Sequence, residues 1–296
     1  MILIVLGILM LALAFFLGRP PVLILGDAGF DAFYGRRRIF LRQAGLSLRF
    51  FRQVKRVSIA ENANPEAAVF AIEEKSALPW AVLGHSRYLR GLEQYARQHP
   101  EITVAVIQEG PAPRAGTFDA EEGPEAVFTD IHLNSWRAGR CAALLAGEEG
   151  EILVFQDERN YPVNRESFLA GLREENEALI PVYVDSSVDY PSWDRVRCVV
   201  LGAAADSYFD RNSAIPALLF TWMDPALCPS VVKISVDDSP WALAPEILGL
   251  PGGEDSGGYR IVPAKFTLLG GRVGEGELKK GLKKTLDLQI SASLPR

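Results

Sequence analysis

Short, unbroken apolar runs alternate with amphipathic stretches from Val22 almost to the end of the chain. The runs are Val22–Leu25, Trp80–Leu83, Ile102–Ile107, Ile152–Phe155, Val199–Leu201 and Ala217–Phe220. Runs this short and rich in branched residues suit strands buried on both faces. Helix-length segments separate most of them, which predicts a parallel sheet and the α/β class. In such sheets ligands bind beyond the carboxyl ends of the strands, so the search for function begins there.

The pattern places a first strand at Val22–Gly26, a helix over Phe30–Ala44 and a second strand within Leu46–Ala60. Asn64-Pro65 opens the next helix, with Asn as cap and Pro at the first helical position. A strand at Trp80–Leu83, a helix over Arg87–Gln98 and a strand at Ile102–Ile107 follow. Gly110–Gly123 reads as a surface loop, and Ala126–Thr129 as the start of a second set. That set has a helix over Asn134–Ala146, in which Gly139 and small neighbours permit close packing. It continues with a strand at Glu151–Phe155, a helix over Asn164–Asn176, and strands at Ile180–Val184, Cys198–Leu201, Ile215–Thr221 and Val231–Val236. Ser239 caps a helix opened by Pro240, Gly249–Gly258 is a glycine-rich crossing, and Tyr259–Leu269 is a last strand. Leu278, Leu282 and Leu286 form a stripe on a basic tail helix, and such a stripe docks on a protein body more often than on a membrane.

The first residues add something different. Ile2–Leu17 carries no charge and is almost wholly apolar. As a helix it covers about 24 Å, short of a hydrocarbon core of about 30 Å. This length suits a signal-peptide core or a short anchor. Ala12-Leu13-Ala14 has the small-x-small form of a cleavage site, but Phe15-Phe16-Leu17 carries the apolar run past it, which favours an uncleaved anchor. No basic residue precedes the run, whereas Arg19, Arg36, Arg37 and Arg38 follow it. Read literally, the positive-inside rule keeps the body in the cytoplasm. The later arginines lie inside a folded segment, however, and export to the periplasmic side is expected.

Length and composition narrow the classes. At 296 residues and 48% hydrophobic, the chain is long enough for two lobes with substantial cores. Its formal charge of -6 and the lack of a long basic run argue against nucleic-acid binding. Cys141, Cys198 and Cys228 stand far apart and read as small buried residues rather than as metal ligands. His85, His99 and His132 show no zinc-type spacing. There is no Gly-x-Ser-x-Gly elbow, no P-loop and no dinucleotide fingerprint after the first strand. No enzyme activity, cofactor or metal is expected.

Two successive α/β sets with a late return to the first resemble the type I periplasmic binding proteins over roughly residues 22–270. Asp31-Ala32-Phe33-Tyr34 resembles the Asn-Pro-Phe-Phe motif of ribose-type binding proteins, where the aromatics clamp a sugar ring. Tyr95–Ile102, the segment from Asp130 through Ser135–Gly139, and Asn164–Leu172 resemble three helical steps of the basic membrane protein family. Ile261–Phe266 resembles the closing strand of lac-repressor-like ligand domains, although no helix-turn-helix precedes it. Gly202-Ala203-Ala204 stand where ribose-type proteins carry polar residues, and the ribose-type arginine has no in-register match. The resemblance implies an anchor or signal at 1–19, an N-terminal lobe of 20–128 and 224–253, and a C-terminal lobe of 129–223 and 254–296.

By that layout the ligand residues come from several strand ends. Asp27, Phe30, Asp31, Phe33 and Tyr34 follow the first strand and offer ring stacking and charge-assisted hydrogen bonds. The alternative is that Phe33 is core and Asp27 only a helix cap. His85 and Ser86 end the third strand, with Ser86 more apt as a cap, and Gln108 and Glu109 end the fourth. In the second lobe Gln156, Asp157, Asn160 and Arg165 surround one strand end, and Arg165 suits a carboxylate or phosphate unless it is merely solvated. Trp222 and Asp224 end a later strand. Asp224 is the position the resemblance favours most, against a plain cap before Pro225. Asp237 and Asp238 match a hinge position, against turn chemistry before Ser239-Pro240.

The expected function is an extracytoplasmic solute-binding protein. It would take a nucleoside or sugar between two lobes for an ABC permease or a membrane sensor. Two alternatives stay open: a degenerate, ligand-free interaction module at the membrane, and a cytoplasmic α/β enzyme or regulator held there.

Overall fold

The computed structural model describes residues 2–60, 63–112, 123–147, 149–156, 163–185, 193–202, 214–249, 259–269, 273 and 276–287. The chain divides into two compact units. The first comprises Met1–Gln108, Pro113–Val127 and Ser239–Arg260, and the second Glu109–Ala112, Phe128–Asp238 and Ile261–Arg296.

The first unit is built on β1 (Val22–Gly26), β2 (Val54–Ser58), β3 (Ala81–His85), β4 (Thr103–Ile107), β5 (Glu125–Thr129) and β11 (Tyr259–Val262), in the order β11-β5-β4-β3-β1-β2. Strands β1 to β5 pair in parallel. Every residue of β1 and β3 is buried, which is why both read as unbroken apolar runs. Leu23, Leu25, Val82, Val104 and Val106 pack with Ile72 of α4 (Pro65–Lys75) and with Leu92 and Tyr95 of α5 (Leu89–Gln98). Helix α8 (Pro240–Gly249), with Trp241 wholly buried, packs on β1, β3 and α3 (Arg36–Phe50).

The second unit repeats the plan. Strands β6 (Gly150–Gln156), β7 (Leu179–Asp185), β8 (Val196–Leu201), β9 (Ala217–Phe220), β10 (Val232–Asp237) and β12 (Lys265–Leu268) take the order β12-β10-β9-β8-β6-β7. The first five are parallel, and β12 joins as an antiparallel edge. Ile152, Val154, Cys198, Val200, Leu218 and Ile234 pack with Ala138 and Ala142 of α6 (Ile131–Ala146), Phe168 and Leu172 of α7 (Arg165–Glu175), and Leu282 of α9 (Glu277–Asp287). The tail helix therefore docks on the body through two of its three striped leucines: Leu282 has no exposed surface and Leu286 packs against the same core, whereas Leu278 is 38% exposed. All three cysteines are buried, and burial pushes the Cys141 thiol up to about 12.

Several boundaries differ from the sequence pattern, each for a tertiary or backbone reason. The helix expected over Phe30–Ala44 is two helices, α2 (Ala28–Tyr34) and α3, because Gly35 adopts a φ of 90° between them. Helix α3 runs on to Phe50, so the second strand begins only at Val54, after Phe51 turns left-handed at φ 50°. A 3-10 turn over Ser86–Tyr88 precedes α5. Strand β5 does not start a second set; it pairs with β4 in the first sheet. Strand β10, expected with the N-terminal lobe that returned at 224, lies in the second sheet, and the return to the first unit comes at Ser239. The last strand is broken at Pro263-Ala264 into β11 and β12, which join different sheets. Most of the loop at 110–123 and of the crossing at 249–258 falls outside the described residues.

Helix α1 (Ile2–Gly18) is apolar throughout, with Leu6, Met10, Leu11, Leu13, Phe15 and Leu17 exposed. Among the described residues no helix is long and apolar enough to cross a membrane.

Candidate functional site

In the first unit, β1 and β3 are parallel neighbours and therefore deliver Asp27 and His85 to the same carboxyl edge. Asp27 is buried and caps α2. Its carboxylate accepts from the Phe30 amide at 2.7 Å, the Tyr88 hydroxyl at 2.6 Å and the Arg87 guanidinium at 3.2 Å. Burial alone would raise this carboxyl, but the bonds from Tyr88, Phe30 and Arg87 hold it below the usual carboxylate range. Asp31, one turn on, forms an ion pair with Arg56 of β2. Burial raises the Asp31 carboxyl despite that partner. Among the described residues, Asp31 Oδ1 and Arg56 Nε are buried with no hydrogen-bond partner.

The aromatics divide. Phe30 and Tyr34 are buried, stacked at 5.0 Å, with Arg38 over the Tyr34 ring. Tyr34 has no exposed surface, so in this conformation its ring offers nothing to a ligand, contrary to the expected clamping pair. Phe33, by contrast, is 42% exposed and is not core. His85 is buried at the end of β3, and its Nδ1 accepts from the Arg87 amide at 3.5 Å, so His85 rather than Ser86 caps the turn. Burial, with Arg87 nearby, pushes the His85 imidazole down to about 3, which keeps it neutral near pH 7. The Gln108 amide donates to Val127 O at 2.8 Å, where β4 leaves the sheet.

In the second unit, β9 and β10 run side by side and carry Trp222 and Asp238 to one edge, where the indole N–H donates to Asp238 Oδ1. Burial pushes the Asp238 carboxyl up to about 6; the Trp222 bond opposes this, and the charges of Asp237 and Glu109 add to it. Asp224 is half-buried and spends its carboxylate on a turn, accepting the Ala226 amide at 3.0 Å. Arg165 is exposed at the start of α7, its guanidinium 4.6 Å from the centre of the Tyr183 ring. Asn160 and Asp157 lie outside the described residues, and Gln156 ends β6.

The Asp238 shift has a consequence for stability. The unfolded carboxyl loses its proton near 3.8, whereas the folded one keeps it to about 6, so the native state binds more protons in between. Stability from this group is full below pH 3.8 and falls as pH rises through about 6. Asp238→Asn, which can still accept from Trp222, is expected to be more stable than the parent at pH 7.5 and equal to it at pH 3.5. Urea unfolding at both pH values checks this; equal stabilities at pH 7.5 would contradict it.

Of the segments that resemble the basic membrane protein family, Tyr95–Ile102 packs in the core of the first unit, and the other two organise the interior of the second. Asp130 caps α6, Asn134 Oδ1 accepts the Ala264 amide at 3.0 Å, and Ser135 Oγ accepts the Asn164 amide at 2.9 Å. Three residues that sequence reasoning passed over, Arg56, Arg87 and Tyr88, complete the first edge. Arg87 and Tyr88 were recognisable as polar residues within one turn of a strand end. Nothing local marked Arg56, whose partner lies across the sheet edge.

No family model and no curated protein matches the sequence. Solved structures do match. An ABC transporter system solute-binding protein from Conexibacter woesei superposes with a TM-score of 0.55 at 14% identity, covering 92% of this chain and 98% of that one. A transcriptional activator of the comK gene from Bacillus halodurans superposes with a TM-score of 0.53 at 11% identity, covering 90% and 95%. Two like-ordered parallel sheets with a late shared return, matched over nearly the whole length, define the type I periplasmic-binding-protein fold. Both matched descriptions are of binding or regulatory proteins, not of enzymes.

Proposed function

We propose that this protein is an extracytoplasmic solute-binding protein held at the membrane by α1. It takes a small polar ligand, a sugar or nucleoside, for ABC-type uptake or for sensing. The observation that carries this reading is the near-complete structural match to a solute-binding protein. Chemistry at the first edge supports it: exposed Phe33 supplies a ring face two residues beyond Asp31. Asp224, Asp238 and Trp222 are the partners we assign in the second unit, with His85, Ser86, Gln108, Asn160 and Arg165 as further candidates. Tethering rests on the apolar surface of α1.

A second reading has a specific observation in its favour. Much of the polar chemistry at both edges is already consumed internally: Asp27 by three donors, Trp222 by Asp238, and Asp224 by its own turn. That is the behaviour of a ligand-free interaction module.

A thermal-shift screen of the full chain in detergent against sugars and nucleosides separates the two. A ligand at a hundred times its dissociation constant stabilises by about 2.7 kcal/mol. A shift lost in Phe33→Ala supports solute binding, and this variant is preferred to Tyr34→Ala because Phe33 is exposed. A flat panel transfers the assignment to the interaction module.

A further inference from the structure

Helix α3 carries two apolar faces where a surface helix needs one. Its inward face holds Ile39 and Leu46, both buried. Its outward face holds Phe40, Leu41 and Leu48, which are 68%, 59% and 79% exposed, with Ala44 exposed between them. Phe40, Ala44 and Leu48 are spaced by four and therefore share one side of the helix. The same helix bears five arginines, Arg36, Arg37, Arg38, Arg42 and Arg49, and no acidic residue. Large apolar side chains exposed together in this way mark an interaction surface.

The surroundings say what that surface meets. The carboxyl end of α3 touches the carboxyl end of α1: Phe51 lies 6.1 Å from Phe15 and 5.8 Å from Phe16, and Arg19 donates to Phe51 O. Beside this junction Phe50 lies 6.0 Å from Trp80, and Arg52 stands over the Trp80 ring. Leu78, two residues before Trp80, is 63% exposed. An apolar helix thus runs into a collar of phenylalanine, tryptophan and arginine, the residue set that sits at the headgroup level of a bilayer. The collar surrounds the amino end of β1, while Asp27 and Phe33 lie beyond its carboxyl end.

We infer that the outward face of α3, with Phe51 and the Trp80 collar, lies in the headgroup layer of an anionic membrane. Of the arginines of α3, the exposed Arg36, Arg37 and Arg49 neutralise lipid phosphates while Phe40, Leu41 and Leu48 enter the acyl boundary. This docks the first unit by its amino edge and turns its carboxyl edge away from the lipid. The inference rests on the reading of α1 as a membrane anchor.

The test uses nitroxide labels on the full chain in nanodiscs, at Met10→Cys, Leu48→Cys and, on the exposed surface of α4, Phe70→Cys. The native cysteines are all buried, so the introduced thiols take the label. Collision with oxygen and with a water-soluble nickel chelate is read for each. In discs containing phosphatidylglycerol, the label at 48 is expected to lose nickel access several-fold while the label at 70 stays aqueous. An aqueous label at 48 beside a lipid-embedded label at 10 overturns the inference and leaves the anchor standing. An aqueous label at 10 overturns the anchor reading as well. Equal shielding in phosphatidylcholine discs overturns the role of the arginines. Shielding that appears without lipid and grows with protein concentration assigns the face to a second copy of the chain instead.

Discussion

Gly139→Ala is expected to unfold the second unit under conditions in which the parent is fully folded. A Cβ at Gly139 would stand 2.1 Å from Phe168 O and 2.9 Å from Leu172 N, and one at Gly171 would stand 2.1 Å from Trp136 O. The obstructing atoms are backbone on both sides, so no rotamer change relieves the clash, and α6 must lift away from α7. Residues 134–139 of α6 are all buried, and lifting the helix opens the core formed by Ala138, Ala142, Phe168 and Leu172. Overpacking of flexible side chains costs roughly 1–3 kcal/mol. A rigid clash at the centre of a helix crossing should reach the top of that range or exceed it. Gly45→Ala is the control: it sits in α3 with nothing within 4 Å of the added methyl and should stabilise by about 0.5–1 kcal/mol. Urea unfolding followed by fluorescence reports on the crossing, because Trp136 lies in it and donates to Glu174 at 2.8 Å. The double variant Gly139→Ala/Gly171→Ala should cost less than the sum of the singles, since one separation relieves both clashes. A midpoint for Gly139→Ala that matches the parent's would show that the helices are not in backbone contact.

Asp27→Ala should be the most damaging change at the first edge. It removes the cap of α2, worth about 1 kcal/mol. It also strands the Tyr88 hydroxyl, at a further cost of about 1–3 kcal/mol. The expected loss is therefore about 2–4 kcal/mol, and Tyr88→Phe should cost less because the cap survives. The contribution also depends on pH. The folded carboxyl sits below its unfolded value of 3.8, so the stabilisation is complete above that pH and is lost as pH falls through the folded value. The difference between parent and Asp27→Ala should accordingly shrink in acid. A variant as stable as the parent at pH 7 would mean that the three donors find other partners. The result also bears on function, because a carboxylate this committed to its own fold has little left for a ligand.

The strand-and-helix rhythm was legible because burial on both faces demands unbroken apolar runs, a property of each segment alone. That is why β1, β3, β6 and β8 were found close to their observed limits. The same holds for caps: Asn64 accepts the Ala67 amide and Ser239 the Ala242 amide, each three residues on, as local capping requires. The docking of the tail helix through Leu282 and Leu286 was readable for the same reason, while Leu278 of that stripe stays exposed. The candidate site was legible only as a set of strand ends. Sequence order identifies Asp27, His85, Trp222 and Asp238 as residues at carboxyl edges. It does not say that Asp27 meets Tyr88, that Asp31 meets Arg56, or that Trp222 meets Asp238, because those pairings depend on which strands are neighbours.

What the sequence by itself determined was the class, the alternation of elements, the helix caps at Asn64 and Ser239 and the apolar character of α1. Only the tertiary structure decided that β10 belongs to the second sheet and that Tyr259–Leu269 divides between two sheets. The physical reason is that a strand's hydrogen-bonding edge is the same chemistry for every partner. Its sheet is chosen by distant contacts, such as the buried Asn134 side chain that takes the Ala264 amide where β11 passes into β12.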